Sequence, residues 1–263
     1  MASDFVYLYG FVPADASSPD NLTGLGGGNV SLLPVGNIKA VVSRASADEY
    51  NPARIESSLQ DLAWVAQQGV AHESVVAWFV DHAEILPVPL FTMYSSETAL
   101  RDSAGATSLD YEAELRRLHD KREWDVKISF DEREVQKHAG EISPRIAELE
   151  REAAAATPGK RYLLEKKRDD LLKTETRDAA QRIAREVIDD VAQKTVEHRS
   201  LPIPRTADDL PVVQYTALLV ERSAEAELIE LLEREAERLK GLGLGLTFSG
   251  PWAAYRFTRQ HER

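Results

Sequence analysis

In residues 124–130, WDVKISF, apolar and polar side chains alternate without a break. The apolar ones are Trp124, Val126, Ile128 and Phe130, and the polar ones between them are Asp125, Lys127 and Ser129. Successive side chains of a β-strand point to opposite faces, so this period of two predicts a strand with one buried face. Asp131 follows, with Glu134 three residues later, and this spacing indicates the N-terminus of a helix.

The segments after this strand follow the order of a known α+β plan. Residues 132–199 are rich in Glu, Arg, Lys, Asp and Ala and predict helices, and LPIPRTADDLP then predicts a rigid connector or a short edge strand. VVQYTALLVE predicts a strand, a helix opens at Ser223, and a last strand follows the glycines at 241, 243 and 245. The order strand, helix, strand, strand, helix, strand is the ferredoxin-like plan.

The helical segment 132–199 is expected to be a long extension of this module. Pro158-Gly159 interrupts it, and after the break a narrow apolar stripe is surrounded by charge. The stripe consists of Leu164, Leu171, Ala179, Ile183, Val187 and Val191. This pattern is typical of an exposed helix packed along one seam, or of a helical hairpin with coiled-coil character.

The N-terminal half predicts a separate mixed module. Residues 4–12 predict an apolar strand covered on both faces, and Gly36-Asn37 predicts a hairpin turn between two further β segments. Helices are predicted from Asn51 to Ala66, around Val75–Val80 and over 95–122, and EILPVPLFTMY predicts a strand with its prolines at an edge or bulge. The sequence thus predicts an α+β protein with domains at 1–120 and 121–263.

The C-terminal stretch combines a strand pattern with several aromatic residues. In LGLTFSG, Leu244, Leu246 and Phe248 alternate with small or polar residues, which predicts a sheet strand in place of a loose tail. Gly250-Pro251 is expected to bend or bulge this strand. Trp252, Tyr255 and Phe257 are expected to continue as packing residues.

Composition excludes several function classes. The 263 residues carry a formal net charge of -12, which argues against nucleic acid as a partner and against a polybasic membrane anchor. The sequence contains no cysteine, so disulfides, thiolate catalysis and cysteine-based metal sites are excluded. No apolar run is long enough for a spanning helix, and a cytoplasmic protein without a signal peptide is expected.

Catalytic motifs are not recognisable. GLGGG at 24–28 precedes a predicted strand, whereas a phosphate-binding loop leads into a helix, and no Walker Lys-Ser/Thr follows it. His72 and His82 are ten residues apart and do not match H-E-x-x-H. The sequence therefore predicts no metal, no cofactor and no enzyme, and it favours binding or assembly. An enzyme with an unrecognised carboxylate/His or nucleotide site is the open alternative.

Five stretches in order resemble the gas vesicle GvpL/GvpF family. They are YLYGFV, HESVV…ILPVPLFTMYSS, WDVKISF, PGKRYLLEKKRDD and GPWAAYRF, and they extend from residue 5 to about 257. Two departures stand out: LPVPLFT lacks the Arg and Gly of the family's middle motif, and Ala253 and Ala254 replace two prolines near the end. The hydrophobic frame is kept in both places.

The resemblance implies a role in gas vesicle organisation. Family members are accessory or minor structural proteins, with an α+β N-terminal domain and a ferredoxin-like C-terminal domain with a helical extension. The implied partners are the small, very apolar major shell protein (GvpA type) and other accessory proteins, and the implied location is the gas vesicle in the cytoplasm. The N-terminal domain is the expected shell contact. Its candidate anchors are Tyr7, Tyr9, Trp78 and Phe79, since aromatic residues anchor interfaces, and core packing is the alternative for all four.

Overall fold

The computed structural model describes residues 4–203 and 210–258, which form two compact units. The first contains the described residues up to Glu123 together with those from Pro251 onward, and the second is Trp124–Gly250. The predicted domains, 1–120 and 121–263, assigned the C-terminal end of the chain to the second domain. The structure instead packs that end with the first unit, because Ala253 and Tyr255 contribute to the first unit's core.

The first unit is built on an antiparallel sheet. Its strands are β1 (Phe5–Pro13), β2 (Ser31–Val35), β3 (Ile38–Ala45), β4 (Leu86–Pro87) and β5 (Met93–Tyr94). They follow the order β2-β3-β1-β4, and β5 also pairs with β1. The buried strand β1 and the hairpin at Gly36, whose φ is +58°, are as predicted. The prediction of a single strand over EILPVPLFTMY is wrong. The prolines and Phe91, whose φ is +64°, divide this segment into β4 and β5.

A β-bulge in β1 sets which side chains point to which face of this sheet. Leu8 pairs with Val42 and Gly10 with Val41, so Tyr9 is the extra residue. The insertion shifts the alternation by one, and Tyr7, Tyr9 and Val12 therefore share one core. Phe11 lies on Tyr111, with ring centroids 4.5 Å apart.

Four helices complete the first unit: α1 (Pro52–Ser58), α2 (Leu62–His82), α3 (Glu97–Gly105) and α4 (Ser108–Leu118). The predicted helix from Asn51 to Ala66 is wrong, because the chain breaks after α1 and a new helix begins at Leu62. The Asp61 side chain accepts from the backbone N–H groups of Ala63 and Trp64 and so caps α2. The helix predicted over 95–122 divides into α3 and α4.

The second unit has the predicted ferredoxin-like strand order. Its sheet contains β6 (Lys121–Phe130), β7 (Glu197–Ser200), β8 (Val212–Glu221) and β9 (Leu244–Trp252) in the order β7-β8-β6-β9. The short strand lies at 197–200, ahead of LPIPRTADDLP, so the predicted helical extension was too long at its C-terminal end. Residues 204–209 of that connector lie outside the described residues.

The helices between β6 and β7 are α5 (Glu132–Lys137), α6 (Ala139–Ile142), α7 (Pro144–Ala154) and α8 (Pro158–Ala192), and α9 (Glu225–Lys240) follows β8. The Asp131 side chain caps α5 as predicted. Along α8 the fully buried residues begin only at Thr176, and from there to Val191 the helix contributes to the core with β6 and α9. The first turns of α8 pair with α7 as a helical hairpin, here called the arm.

Candidate partner-binding surface

The four candidate anchor residues occupy different positions in the first unit. Tyr7, Tyr9 and Phe79 have no exposed surface, so they cannot touch a partner in this conformation. Trp78 is half-buried and reaches the surface near the C-terminal end of α2. Its ring stacks on that of His82, with centroids 4.1 Å apart and planes 4° from parallel. Of the four, only Trp78 is placed to contact another protein directly.

Tyr7 belongs to a chain of buried polar groups. Its hydroxyl accepts a hydrogen bond from the backbone N–H of Phe91 at 3.1 Å and lies 2.8 Å from Nδ1 of His72. The Tyr7 proton is therefore donated to Nδ1, which leaves the His72 proton on Nε2. Nε2 lies 3.1 Å from the hydroxyl of Tyr255, which in turn donates to Oε2 of Glu73 at 3.1 Å. Every side-chain hydrogen-bond donor in this series of four residues has an acceptor.

Burial also sets the protonation of this chain. Burial lowers the pKa of His72 to about 4, so the ring is neutral near pH 7, as the hydrogen-bond directions require. Burial raises the pKa of Glu73, and it raises the pKa values of Tyr7 and Tyr255 too, with the Glu73 charge adding to the effect at Tyr255. The group ties α2 to the C-terminal segment.

Tyr9 accounts for the glycine-rich loop at 24–28. Its hydroxyl accepts from the backbone N–H of Leu25 at 2.7 Å and lies 2.8 Å from Oγ of Ser43. The backbone N–H groups of Gly24, Gly27 and Gly28 donate to carbonyls within the loop. The next element is β2, a strand. A phosphate-binding loop needs N–H groups directed outward, so this loop packs around Tyr9 instead of cradling a phosphate.

The C-terminal segment after Gly250 is held by buried contacts. Phe257 is fully buried, and its carbonyl accepts from the Arg117 guanidinium. The carboxylate of Glu123, itself buried, accepts from the backbone N–H of Arg256 at 2.9 Å and pairs with the Arg256 side chain. The aromatic residues in GPWAAYRF predicted packing, but nothing in the local pattern indicated which core they would join.

The outward face of α2 is unusual for a chain with 29% charged residues. From Leu62 to Val80 the ionisable side chains are His72, which is buried, and Glu73, which accepts a hydrogen bond from Tyr255. The exposed or half-exposed residues at helical spacing are Ala63, Ala66, Gln67, Val70, Ser74 and Ala77. Val70, near the middle, is 68% exposed, and Leu62 at the N-terminal end is 81% exposed. This α2 face is a continuous, weakly polar surface.

A groove of about 630 Å³ lies beside Trp78, at the C-terminal end of α2. We call it the Trp78 groove. Its other wall is the loop 13–20, which contributes Asp15 and Asp20, and Glu84 closes one end. Asp15 and Asp20 make no hydrogen bond or ion pair with any residue the structure describes. The groove therefore combines an aromatic wall with two carboxylates that pair with no described side chain, while Lys39 donates to the carbonyl of Ala16 in the same loop.

One cluster has the residue types of a metal site. Oε1 of Glu84 lies 2.7 Å from Nδ1 of His119, and Oδ2 of Asp120 lies 3.5 Å from Nε2 of the same ring. Both ring nitrogens thus face carboxylate oxygens, whereas a metal needs a nitrogen lone pair directed at the ion. His119 and Asp120 are exposed, and the arrangement fits a surface ion pair better than a metal centre.

In the second unit, a groove of about 670 Å³ runs along α7 and α8. Its charges are largely used within the unit. Glu175 pairs with Arg145 at 2.9 Å and accepts from the hydroxyl of Ser143 at 3.1 Å, and Arg182 donates to the carbonyl of Ile142 at 2.7 Å. These contacts hold the arm to the rest of the unit.

Comparison with known proteins identifies close counterparts of the whole chain. The family model described as gas vesicle synthesis protein GvpL/GvpF matches residues 5–259. The chain is 26% identical over 257 residues to gas vesicle protein L of Streptomyces sp. (strain CB03234), covering 95% of this chain and 91% of that protein. None of these descriptions names an enzymatic activity, and among the described residues no helix is long and apolar enough to cross a membrane.

Two crystal structures have the same fold. Gas vesicle protein GvpF from Anabaena sp. PCC7120 superposes with a TM-score of 0.70 at 17% identity, over 97% of this chain and 98% of that one. GvpF from Microcystis aeruginosa gives a TM-score of 0.66 at 19% identity, over 96% and 98% of the two chains. The mixed α+β fold predicted from the sequence is therefore the fold of these proteins.

Proposed function

The chain belongs to the gas vesicle synthesis protein GvpL/GvpF family, and from that membership we propose that it binds the small, apolar GvpA-type shell protein during assembly of the vesicle wall. The contact surface in this proposal is the α2 face of the first unit, with Trp78 at its border. Binding at the gas vesicle in the cytoplasm, together with other accessory proteins, is part of the same proposal.

The absence of charge along the α2 face is the observation that carries this proposal. Most helices of this protein contain many Glu, Lys and Arg residues, whereas α2 presents Ala, Val, Ser and Gln to its surroundings from Ala63 to Ala77. An exposed weakly polar helix face on an otherwise charged chain is a feature of interaction surfaces. A helix of the shell protein could pack closely on such small side chains.

The interior beneath α2 supports the same role. Phe79 lies on the inner side of the helix in one core with Tyr7 and Tyr9, and the bonds from His72 and Glu73 to Tyr255 join the helix to the C-terminal segment. A rigid helix loses little conformational entropy when a partner docks on it. The buried aromatic residues thus take part by holding the surface in place, while Trp78 makes direct contact.

The chain's net charge suits a protein that escorts an apolar partner. A shell protein that is not yet polymerised exposes apolar surface, which is an aggregation hazard. A partner with a formal charge of -12 keeps the complex dispersed by repulsion between complexes.

Co-purification with the shell protein tests the proposal. Val70→Glu places a charge in the middle of the α2 face, and we expect it to weaken capture of the shell protein at least about tenfold, since it buries an unpaired carboxylate in an apolar contact. Leu109→Glu on α4 is the matched control, because Leu109 is 72% exposed on a helix of the same unit. Equal capture by wild type and Val70→Glu would rule out this surface.

The enzyme alternative has its own discriminating measurement. A nucleotide or metal that binds the folded chain raises its melting temperature in proportion to the logarithm of ligand concentration. Because N–H groups of the 24–28 loop already donate hydrogen bonds within the protein, we expect no change in melting temperature with nucleotide and Mg²⁺. A concentration-dependent rise would support a nucleotide site and weaken the reading of this protein as a binding protein alone.

A further inference from the structure

The tip of the arm reverses the charge of the protein. Residues 158–168, the first three turns of α8, contain Lys160, Arg161, Lys166, Lys167 and Arg168 against one acid, Glu165. The whole chain, by contrast, carries a formal charge of -12. We call this segment the arm tip. Its positive charge stands in contrast to the acidic surface of the same molecule.

Two of these five cations are used to build the arm. Nε of Arg161 donates to the carbonyl of Ala153 at 3.1 Å and so satisfies the C-terminal end of α7. Nε of Arg168 lies 3.0 Å from Oε1 of Glu150 on α7. The other three, Lys160, Lys166 and Lys167, are exposed and make no hydrogen bond or ion pair with any residue described in the structure.

The three free lysines surround two exposed apolar side chains. Leu163 follows Lys160 by three residues and precedes Lys167 by four, so these three share one helix face. Tyr162 precedes Lys166 by four residues and lies beside them. Tyr162 is 67% exposed and Leu163 is 65% exposed. The tyrosine and the leucine are flanked by these lysines, and Asp170 borders the same face, which gives the anchor-and-rim pattern of a protein interface with a mainly basic rim.

The same chain carries a surface of opposite character in the Trp78 groove. Asp15 and Asp20 there have no partner among the described residues, and Trp78 and His82 also line the groove. A lysine ammonium can pair with these carboxylates. We propose that the arm tip of one copy docks into the Trp78 groove of a second copy of this chain.

This contact joins two different patches, so it is heterologous. One copy in a pair keeps an unused groove and the other keeps an unused arm tip, and further copies can add until a ring closes or a linear assembly forms. The charged residues of this contact lie outside the α2 face centred on Val70, and Trp78 is the residue that the two proposed contacts share. Loss of one interaction is therefore separable from loss of the other.

Sedimentation velocity of the full chain over a range of concentrations and salt tests this inference. We expect self-association at low salt that disappears at about 1 M salt, where the screening length falls to about 3 Å from about 10 Å at 0.1 M. A chain that remains monomeric at every concentration in low salt would overturn the proposal.

Charge reversal at each surface makes the test specific. Lys166→Glu/Lys167→Glu and Asp15→Lys/Asp20→Lys should each weaken self-association at least tenfold, because each variant sets like charges against each other. An equimolar mixture of the two should associate again, since the acidic tip of one variant now meets the basic groove of the other. Failure of the mixture to associate would contradict the pairing of these two surfaces.

The matched control is Arg177→Glu/Arg234→Glu, which changes the net charge equally at exposed positions on α8 and α9. It should self-associate as wild type does. A loss as large as that of the arm-tip variant would mean that net charge, and not this contact, controls association. Co-purification with the shell protein, measured on the same variants, should remain at the wild-type level.

Discussion

The hydroxyl of Tyr255 lies 3.1 Å from Nε2 of His72, although 183 positions separate the two residues in the sequence. This bond joins the C-terminal segment to the middle of α2. Two buried tyrosines therefore hold the helix that carries the proposed shell-protein surface. Tyr7 on β1 bonds to His72, and Tyr255 in the C-terminal segment bonds to Glu73.

Removing the Tyr255 hydroxyl should destabilise the first unit. Tyr255→Phe leaves the Nε2–H of His72 and the buried carboxylate of Glu73 without their partner, and we expect a loss of about 1–3 kcal/mol in the free energy of unfolding. Urea denaturation measures the change. Tyr162→Phe, at an exposed tyrosine, should lie within about 0.5 kcal/mol of wild type. Equal stability of the two variants would show that the Tyr255 bonds contribute little.

Stability should fall between pH 7 and pH 5 through His72. The pKa of His72 in the folded chain is about 4 against 6.5 for an unperturbed histidine, so the unfolded chain binds more protons in this window. Folding stability from this residue is therefore present above about pH 6.5 and is lost as the pH falls towards 4. For a shift of this size the loss between pH 7 and pH 5 is about 2 kcal/mol.

His72→Gln removes this titration while keeping an amide donor and acceptor in the buried chain. Its free energy of unfolding should change less between pH 7 and pH 5 than that of wild type. Glu73, whose raised pKa acts in the opposite direction, is common to both proteins and cancels in the comparison. Identical pH dependence in the two proteins would exclude His72 as the cause.

The pair of Arg256 and Glu123 should show strong coupling. Glu123 is buried, so Arg256→Met removes an ion-pair partner from an interior carboxylate and is expected to cost about 3 kcal/mol. Adding Glu123→Gln removes that charge and keeps an acceptor for the backbone N–H of Arg256. The double variant should be more stable than Arg256→Met alone. A double-mutant cycle with no coupling energy would contradict this account.

Two glycines should respond oppositely to alanine. A Cβ on Gly69, within α2, meets nothing inside the chain within 4 Å, so Gly69→Ala should stabilise the protein by about 0.5–1 kcal/mol. A Cβ on Gly24 would lie 2.0 Å from the hydroxyl of Tyr9, so Gly24→Ala should destabilise by about 1–3 kcal/mol. Urea midpoints at unchanged slope measure both changes. A destabilised Gly69→Ala would show that α2 is constrained in a way the contacts do not reveal.

Gly69 also bears on function. No packing contact among the described residues requires glycine at position 69. The missing side chain would let a partner helix approach α2 closely. Gly69→Ala is therefore expected to weaken capture of the shell protein while it raises stability. Improved stability with unchanged capture would place the contact elsewhere on α2.

Local patterns were sufficient where a side chain's role depends on its near neighbours. Alternation in WDVKISF predicted β6, the Asp131 spacing predicted the start of α5, and the order of segments predicted the ferredoxin-like sheet. Local patterns failed at the junction of α1 and α2. The aliphatic residues from Ile55 to Ala66 have continuous helical spacing, which predicted one helix, but Asp61 caps a new helix within this segment.

The candidate anchors show a different limit. Tyr7, Tyr9, Trp78 and Phe79 have the residue types of both interface anchors and core residues, and the sequence does not distinguish the two roles. Tyr7 and Tyr9 share a face by alternation, and the bulge at Tyr9 adds Val12 to the same core, although a bulge has no signature in residue type alone. Only the assembled sheet decides that Trp78 is the one at the surface.

The sequence by itself determined the α+β class, the order of strands and helices along the second unit and the net charge, because these depend on periodicity and composition along the chain. The tertiary structure alone decided that the C-terminal segment joins the first unit, and that Tyr7, His72, Tyr255 and Glu73 meet. Such contacts depend on which distant segments share a core, and hydrophobic burial, being non-directional, leaves that choice to the packing of the whole unit.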